Sequence, residues 1–510
     1  VGSEMCIRDS PYADLQPNVT HNVMFQVEFT PKSIAITDAT VADLSSLTSN
    51  PYISEVNISD TSSKITSQLD YLQTQYCKIG SITLNDNQPL NLTVAQLEQD
   101  ANVINKITNA DVITLSDTAD NISAKIDQLE AISKQINSIV ITDNLPIKVI
   151  GDQLISDKDI FSGIVNGFGL EITTTSIGVE RAALSKIHFD YALATDPANN
   201  YELFLNSGSY SAISFPQIEN MSGQGYVQIG NSATYTGGLF SSLNSMEEVL
   251  NGGIANSATI SGTNTNQYIQ SGGIANNTII ETAGNQLIFE GGIANHTILN
   301  GTLGGFAVES VNGISYDTLI NTSGLQYINS SGQSNGTVIN NGGKQIIGYE
   351  GFSNGGIANN TTINSGGIEL VAGLGISNGT KINAGGSEIV DGVIYSVFNG
   401  TNPSGTANNT VVNYQGQLSV QGVANNTLIN GGIVNVYGNS AIINNTVVNS
   451  GALYVGDGGI ANGVHVNNSG MLFVGSYDKN KLGMVNNGSV STGGYLVVEN
   501  NGIANNITLD

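Results

Sequence analysis

The string Gly-Gly-Ile-Ala-Asn recurs at 252–256, 272–276, 291–295, 355–359 and 458–462, with variants at 405–409, 422–426 and 501–506. The residue before the first Asn of each copy falls at Ala255, Ala275, Ala294, Ser315, Ser334, Ala358, Ser377, Ala407, Ala424, Ile443, Ala461 and Ala504. Most steps are about twenty residues, and two longer ones hold an insertion and a degenerate copy. A unit that short cannot enclose its own apolar face. Only stacking against neighbours buries it, so residues 251–510 are expected to form a solenoid.

Each unit carries two strand patterns. The first reads Thr, any residue, aliphatic, often Asn, as in Thr361-Thr362-Ile363-Asn364 and Thr380-Lys381-Ile382-Asn383. Its middle slot tolerates Lys381 and His465, whereas the next stays aliphatic. Period-two alternation therefore sends the tolerant slot to water and the aliphatic one to the core. The second pattern begins at a Gly and has Ile or Val four residues later: Ile288, Ile328, Ile347, Val371, Val390, Val420, Val436, Val455, Val474 and Val498. Asn and Gly at the corners suit turns with positive φ. The expected fold is mainly β, a right-handed parallel β-helix with ~20-residue rungs; the period excludes a left-handed hexapeptide helix. A dozen rungs at ~4.8 Å would span ~60 Å, with Asn amides able to ladder along the axis.

Upstream, residues 33–165 repeat with an offset of 57: Asp60-Thr61 matches Asp117-Thr118, Ile65 matches Ile122, Asp86 matches Asp143 and Pro89 matches Pro146. Each copy reads strand, helix, strand, helix, an α/β repeat region. Ile122, Ile126, Leu129, Ile132 and Ile136 share one helical face, as do Val94, Leu97, Ala101, Ile104 and Ile107. The strand-end Asp60, Asp86, Asp117 and Asp143 read as helix caps rather than calcium ligands, because no EF-hand or nonapeptide pattern accompanies them. Residues 166–250 read as a β-rich transition or cap. Residues 1–10 resemble a translated sequencing artefact, 11–32 are undefined, and the solenoid reads as truncated at its C-terminus. Cys77, lacking a partner once Cys6 is set aside, reads as a small buried side chain.

The formal charge is −26. Residues 251–510 contain 12 acidic and 4 basic side chains, none of them Arg, giving −8. A nucleic-acid partner would need a basic patch, and an anionic membrane would repel this surface. No stretch is long and apolar enough for a membrane helix. No cofactor or metal motif is present: His296 and His465 lack neighbours at ligand spacing, and 456–459 lacks the calcium nonapeptide period. A β-helical polysaccharide lyase or hydrolase needs paired carboxylates on adjacent rungs. Glu369 and Glu388, at equivalent slots, are the best such pair, although both also fit the polar slot that Gln fills in other copies. Near-perfect repetition also disfavours a unique catalytic site, so the chain reads as no enzyme.

The run GG-x-A-x-N-T-x-[IV]-N-x-GG followed by G-x-[QE]-x-[IV] resembles the AIDA-type repeat of autotransporter adhesin passengers, over 251–510. The resemblance implies a β-helical passenger led by a signal peptide and carried across the outer membrane by a C-terminal barrel, neither of which is expected within residues 1–510. It also implies roles in attachment, autoaggregation and biofilm formation, with Ser/Thr glycosylation in some members. The later copies depart from the pattern: Gln or Glu at 286, 326, 345, 369 and 388 gives way to Leu418, Val434, Leu453, Leu472 and Leu496. The expected location is the cell surface or outside the cell. Expected partners are glycans, molecules of host or bacterial surfaces, or a second copy of the chain. Tyr327, Tyr454 and Phe473 are the candidate contact aromatics. The alternative to an adhesin is a passive stalk holding another domain away from the cell.

Overall fold

The computed structural model describes residues 33–109, 113–178, 181–215, 218, 223–348, 355–391, 404–476 and 480–510. Residues 1–10 and 11–32 lie outside them. Contacts divide the chain into two units, Val1–Val112 and Ile113–Asp510. Among the described residues no helix is long and apolar enough to cross a membrane.

In the first unit, β-branched runs pair in parallel in the order Ile34–Ala39, Ile53–Asp60, Ile79–Leu84. Val56, Ile58, Ile82 and Leu84 are buried, as are the helical Ile65, Leu69 and Leu72. The 57-residue offset is kept element for element: Ser62–Ser67 and Leu69–Thr74 correspond to Ala119–Ser123 and Ile126–Ala131 of the second unit. Each helix expected as continuous is broken in two. The breaks fall at Asp100 (φ −104°) within 94–107 and at Lys125 (φ −129°) within 122–136, outside the helical well, and Gln68 (φ −120°) breaks the first-copy counterpart of the latter. Ala101, on the other expected face, is exposed. The aspartates cap as the spacing implies. Asp86 accepts from Ser62 N at 3.1 Å and Asp143 from Ala119 N at 3.1 Å, at the heads of corresponding helices. Asp60 and Asp117 accept from Thr61 N and Thr118 N. Cys77 corrects the sequence reading: it is exposed, in the short 3-10 turn Tyr76–Lys78, not buried.

The second unit opens with parallel pairs, Ile113–Asp117 with Ile136–Ile141, then Ile147–Ile150, Gly169–Thr173 and Tyr191–Thr195 in succession. One antiparallel step, Tyr191–Thr195 against Tyr201–Leu205, follows. From there a parallel ladder runs through Gly225–Ile229 and Met246–Val249 to Thr265–Ile269. Rung stacking therefore starts within 166–250, upstream of residue 251.

Every regular rung has three short strands, such as Ile274–Asn276, Ile279–Glu281 and Gly284–Ile288. Each pairs in parallel with its counterpart one rung later. The result is a parallel β-solenoid with three faces, called first, second and third in chain order. Alternation decides which side chains enter: Ala275, Thr278, Ile280, Gln286 and Ile288 are buried, with the residues between them less so. The invariant aliphatic column of the third face is buried at every rung from Ile288 to Val474, and Val498 alone is exposed. Burying one such side chain stabilises by about 1.5–3 kcal/mol, repeated rung after rung. The register also locates the degenerate copy, since Ala461 pairs with Val485 and Val485 with Ala504.

Candidate functional site

The first face is the most regular surface of the solenoid. Its strands run in register from Ile254–Asn256 through Ile274–Asn276, Ile357–Asn359 and Val423–Asn425 to Ile460–Val466 and the final strand Gly502–Leu509. The outward slots hold an aliphatic column beside an Asn column, interrupted by Gln333, Thr406 and Tyr316. No Asp, Glu, Lys or Arg stands at any described outward slot of this face between Ile254 and Asn505. The amides bond along the axis. Asn276 Nδ2 donates to Asn256 Oδ1 at 2.9 Å and Asn295 to Asn276 at 2.8 Å; the ladder breaks at Tyr316, resumes with Asn359 on Asn335 at 3.0 Å and runs to Asn505 on Asn486 at 2.9 Å. A second ladder edges the second face, where Asn321, Asn340, Asn364, Asn383 and Asn413 each donate to the Asn one rung earlier.

The third face positions the aromatics. Tyr454 and Phe473 are register partners, and their rings stack at 4.7 Å with an 8° tilt. Tyr454 is 40% exposed. The pair lines a groove of about 470 Å³ together with Tyr437, Asp457, Ser476 and Glu499. Ser476 Oγ donates to Asp457 Oδ1 at 2.6 Å. Tyr327 is half-buried farther along the same face, in register between Ser310 and Ile346. The structure therefore brings Tyr454 and Phe473 together and leaves Tyr327 apart. His296 turns a corner 3.5 Å from Asp317, and His465 Nδ1 lies 3.0 Å from Ser489 Oγ, both exposed. Among the described residues no cluster of three or more His, Cys, Asp or Glu could hold a metal.

A polar column inside the solenoid was not anticipated. Glu247, Gln267, Gln286, Glu309, Gln326, Gln345, Glu369 and Glu388 stand in register and are all fully buried. Gln286 Nε2 donates to Gln267 Oε1 and Gln345 Nε2 to Gln326 Oε1, each at 2.6 Å. Buried threonines complete the network: Thr297 bonds Gln286, Thr337 Gln326, Thr380 Glu369 and Thr410 Glu388. Burial pushes the carboxyls of Glu247, Glu309 and Glu369 up to about 7, because an unsolvated negative charge is costly. Burial, with the neighbouring Glu369 charge, holds Glu388 well above the ordinary range. The signal for this column lay in the parity of the third strand. Gln286 is two residues from Ile288, so both must face the same way.

That parity also disposes of the sequence's best catalytic pair. Glu369 and Glu388 are register partners one rung apart, but they lie inside the solenoid where no polysaccharide reaches them. The solenoid is thus a rung-stacked body with an uncharged ladder face, an aromatic groove and a polar interior. No family model and no curated protein matches the chain. Among solved structures, a crystal structure of a TibC-catalysed hyper-glycosylated TibA fragment is similar at 26% identity and a TM-score of 0.45. The likeness covers 59% of this chain and 94% of that one. The fold described here rests on the strand register alone.

Proposed function

We propose that the solenoid is the non-catalytic, adhesive region of a bacterial surface protein, an AIDA-type passenger acting outside the cell. The uncharged first face carries this reading. On a chain of net charge −26, a long surface whose outward slots carry no charge is where a second body meets the least local repulsion. Its repeated slots offer many weak, equivalent contacts, which sum to strong attachment when two extended surfaces meet. Partners on this reading are another copy of the chain or a surface glycan, the latter in the groove beside the Tyr454–Phe473 stack, whose exposed ring edges and hydroxyl can meet a sugar. The enclosure of Glu369 and Glu388 supports a binding role over a hydrolytic one.

The test displays the chain on cells and measures aggregation and attachment to glycan-coated surfaces. Ile376→Glu with Ile442→Glu places charge on the first face at outward slots. Tyr454→Ala with Phe473→Ala removes the stack. Loss of aggregation from the first pair, or of glycan attachment from the second, with unchanged circular dichroism, is expected. Full retention of both would sink the adhesive reading and leave a passive stalk.

A further inference from the structure

The interior column has one irregular place. Elsewhere, a buried carboxylate is followed by an amide that donates to it: Gln267 Nε2 to Glu247 and Gln326 Nε2 to Glu309, each at 2.5 Å. Glu369 is followed instead by Glu388, and Glu388 by Leu418. One oxygen of each has a hydroxyl partner, from Thr380 at 2.9 Å and Thr410 at 3.2 Å. Oε1 of Glu369 and Oε1 of Glu388 have none, as is true of Glu247 Oε1, but here two fully buried carboxyls are register partners on adjacent rungs. Two ionised carboxylates one strand spacing apart, without solvent, would repel strongly. A proton carried by the pair supplies what the missing amide does not, a donor that joins one rung to the next. The groups facing this pair from the rungs on either side and from their own are Gln345, Thr361, Ser377, Thr380, Ala407, Thr410 and Leu418. Among the described residues, none of these titrates.

We propose that Glu369 and Glu388 form a proton-dependent lock between adjacent rungs. With its proton the pair holds the solenoid closed there. Without it, the rungs around 368–390 open locally while their neighbours stay folded. This goes beyond the adhesive reading and does not depend on it. The direction follows from linkage. An unfolded Glu ionises near 4.5, whereas burial holds Glu369 near 7 and, with the Glu369 charge beside it, holds Glu388 well above the ordinary range. The stability these groups contribute is full below the lower value and is lost as pH rises through the raised ones.

Amide hydrogen exchange on the full chain, corrected for intrinsic rates, reads this directly. Between about pH 5 and about pH 8, protection over 368–390 is expected to fall roughly tenfold or more, as one unit of differential titration requires. Protection over 428–455, where the column is Val434 and Leu453, should hold. Glu388→Gln restores the amide donor and leaves a single buried carboxyl, as at Glu309, so the fall should shrink severalfold; if that variant does not fold, Glu369→Gln is read in the same way. An equal change in both segments would overturn the proposal, as would the same fall in the Gln variant. Protection that follows sodium concentration at fixed pH would also overturn it, since a metal cation would then occupy the proton's place.

Discussion

Asn277 turns the corner between the first and second strands of its rung with φ 55°. His296, Asn360, Asn409, Asn426 and Asn445 repeat that left-handed conformation, and Gly336, Gly379 and Gly463 take the same corner elsewhere. A β-branched side chain there is strained, whereas Gly is not. Asn277→Val is expected to lower stability by about 1–2 kcal/mol, and Asn277→Gly to leave it within a few tenths, by denaturant melts. Glu309 supplies a residue-scale test of the interior. Its carboxyl is pushed up to about 7 by burial, against 4.5 when unfolded. Its stabilising contribution is therefore present in acid and lost as pH rises through 7. Glu309→Gln should raise the melting temperature at about pH 8 and change it little at about pH 4. An equal effect at both pH values would show that ionisation of Glu309 is not what limits stability.

The strand is the scale at which the sequence was most legible. Gly spacing, the invariant aliphatic column and the Asn corners follow from period two and from turn chemistry, and the register agrees with them from Ala255 to Ala504. The contents of the interior were harder to read, because Gln and Thr are ordinarily surface residues. Only parity with Ile288 and Ile280 reveals that Gln286 and Thr278 point inward. Helix breaks at Gln68 and Lys125 carried no Gly or Pro to announce them. The exposure of Cys77 depends on packing that composition does not specify. The same Thr motif also meets two environments. Thr337 Oγ1 bonds Gln326 and Ser334, whereas the Oγ1 atoms of Thr427 and Thr446 have no partner. The loss follows from the column itself, which by then has changed to Leu418 and Val434. Thr337→Val should cost about 1–2 kcal/mol, whereas Thr427→Val should be neutral or stabilising by about 1 kcal/mol. Chemical melts that gave the two variants equal costs would show that the column does not satisfy Thr337.

Across the solenoid, charge is sorted by position. Glu309, Glu369 and Glu388 are inside, while Asp317 sits at an exposed corner and Asp457 borders the aromatic groove. The first face carries none of them. Two copies meeting through that face would gain ladder contact and lose free energy only to the long-range repulsion of net charge −26 on each chain. Salt screens that repulsion without weakening contacts between uncharged groups. As the Debye length shortens from about 30 Å at 10 mM to about 8 Å at 150 mM, association of the purified chain should strengthen. Sedimentation across that range measures it. Association that weakens with salt would mean that ion pairs hold the copies together. The acidic corners and scattered lysines such as Lys344 and Lys381 would then be the contact, and the uncharged face would not.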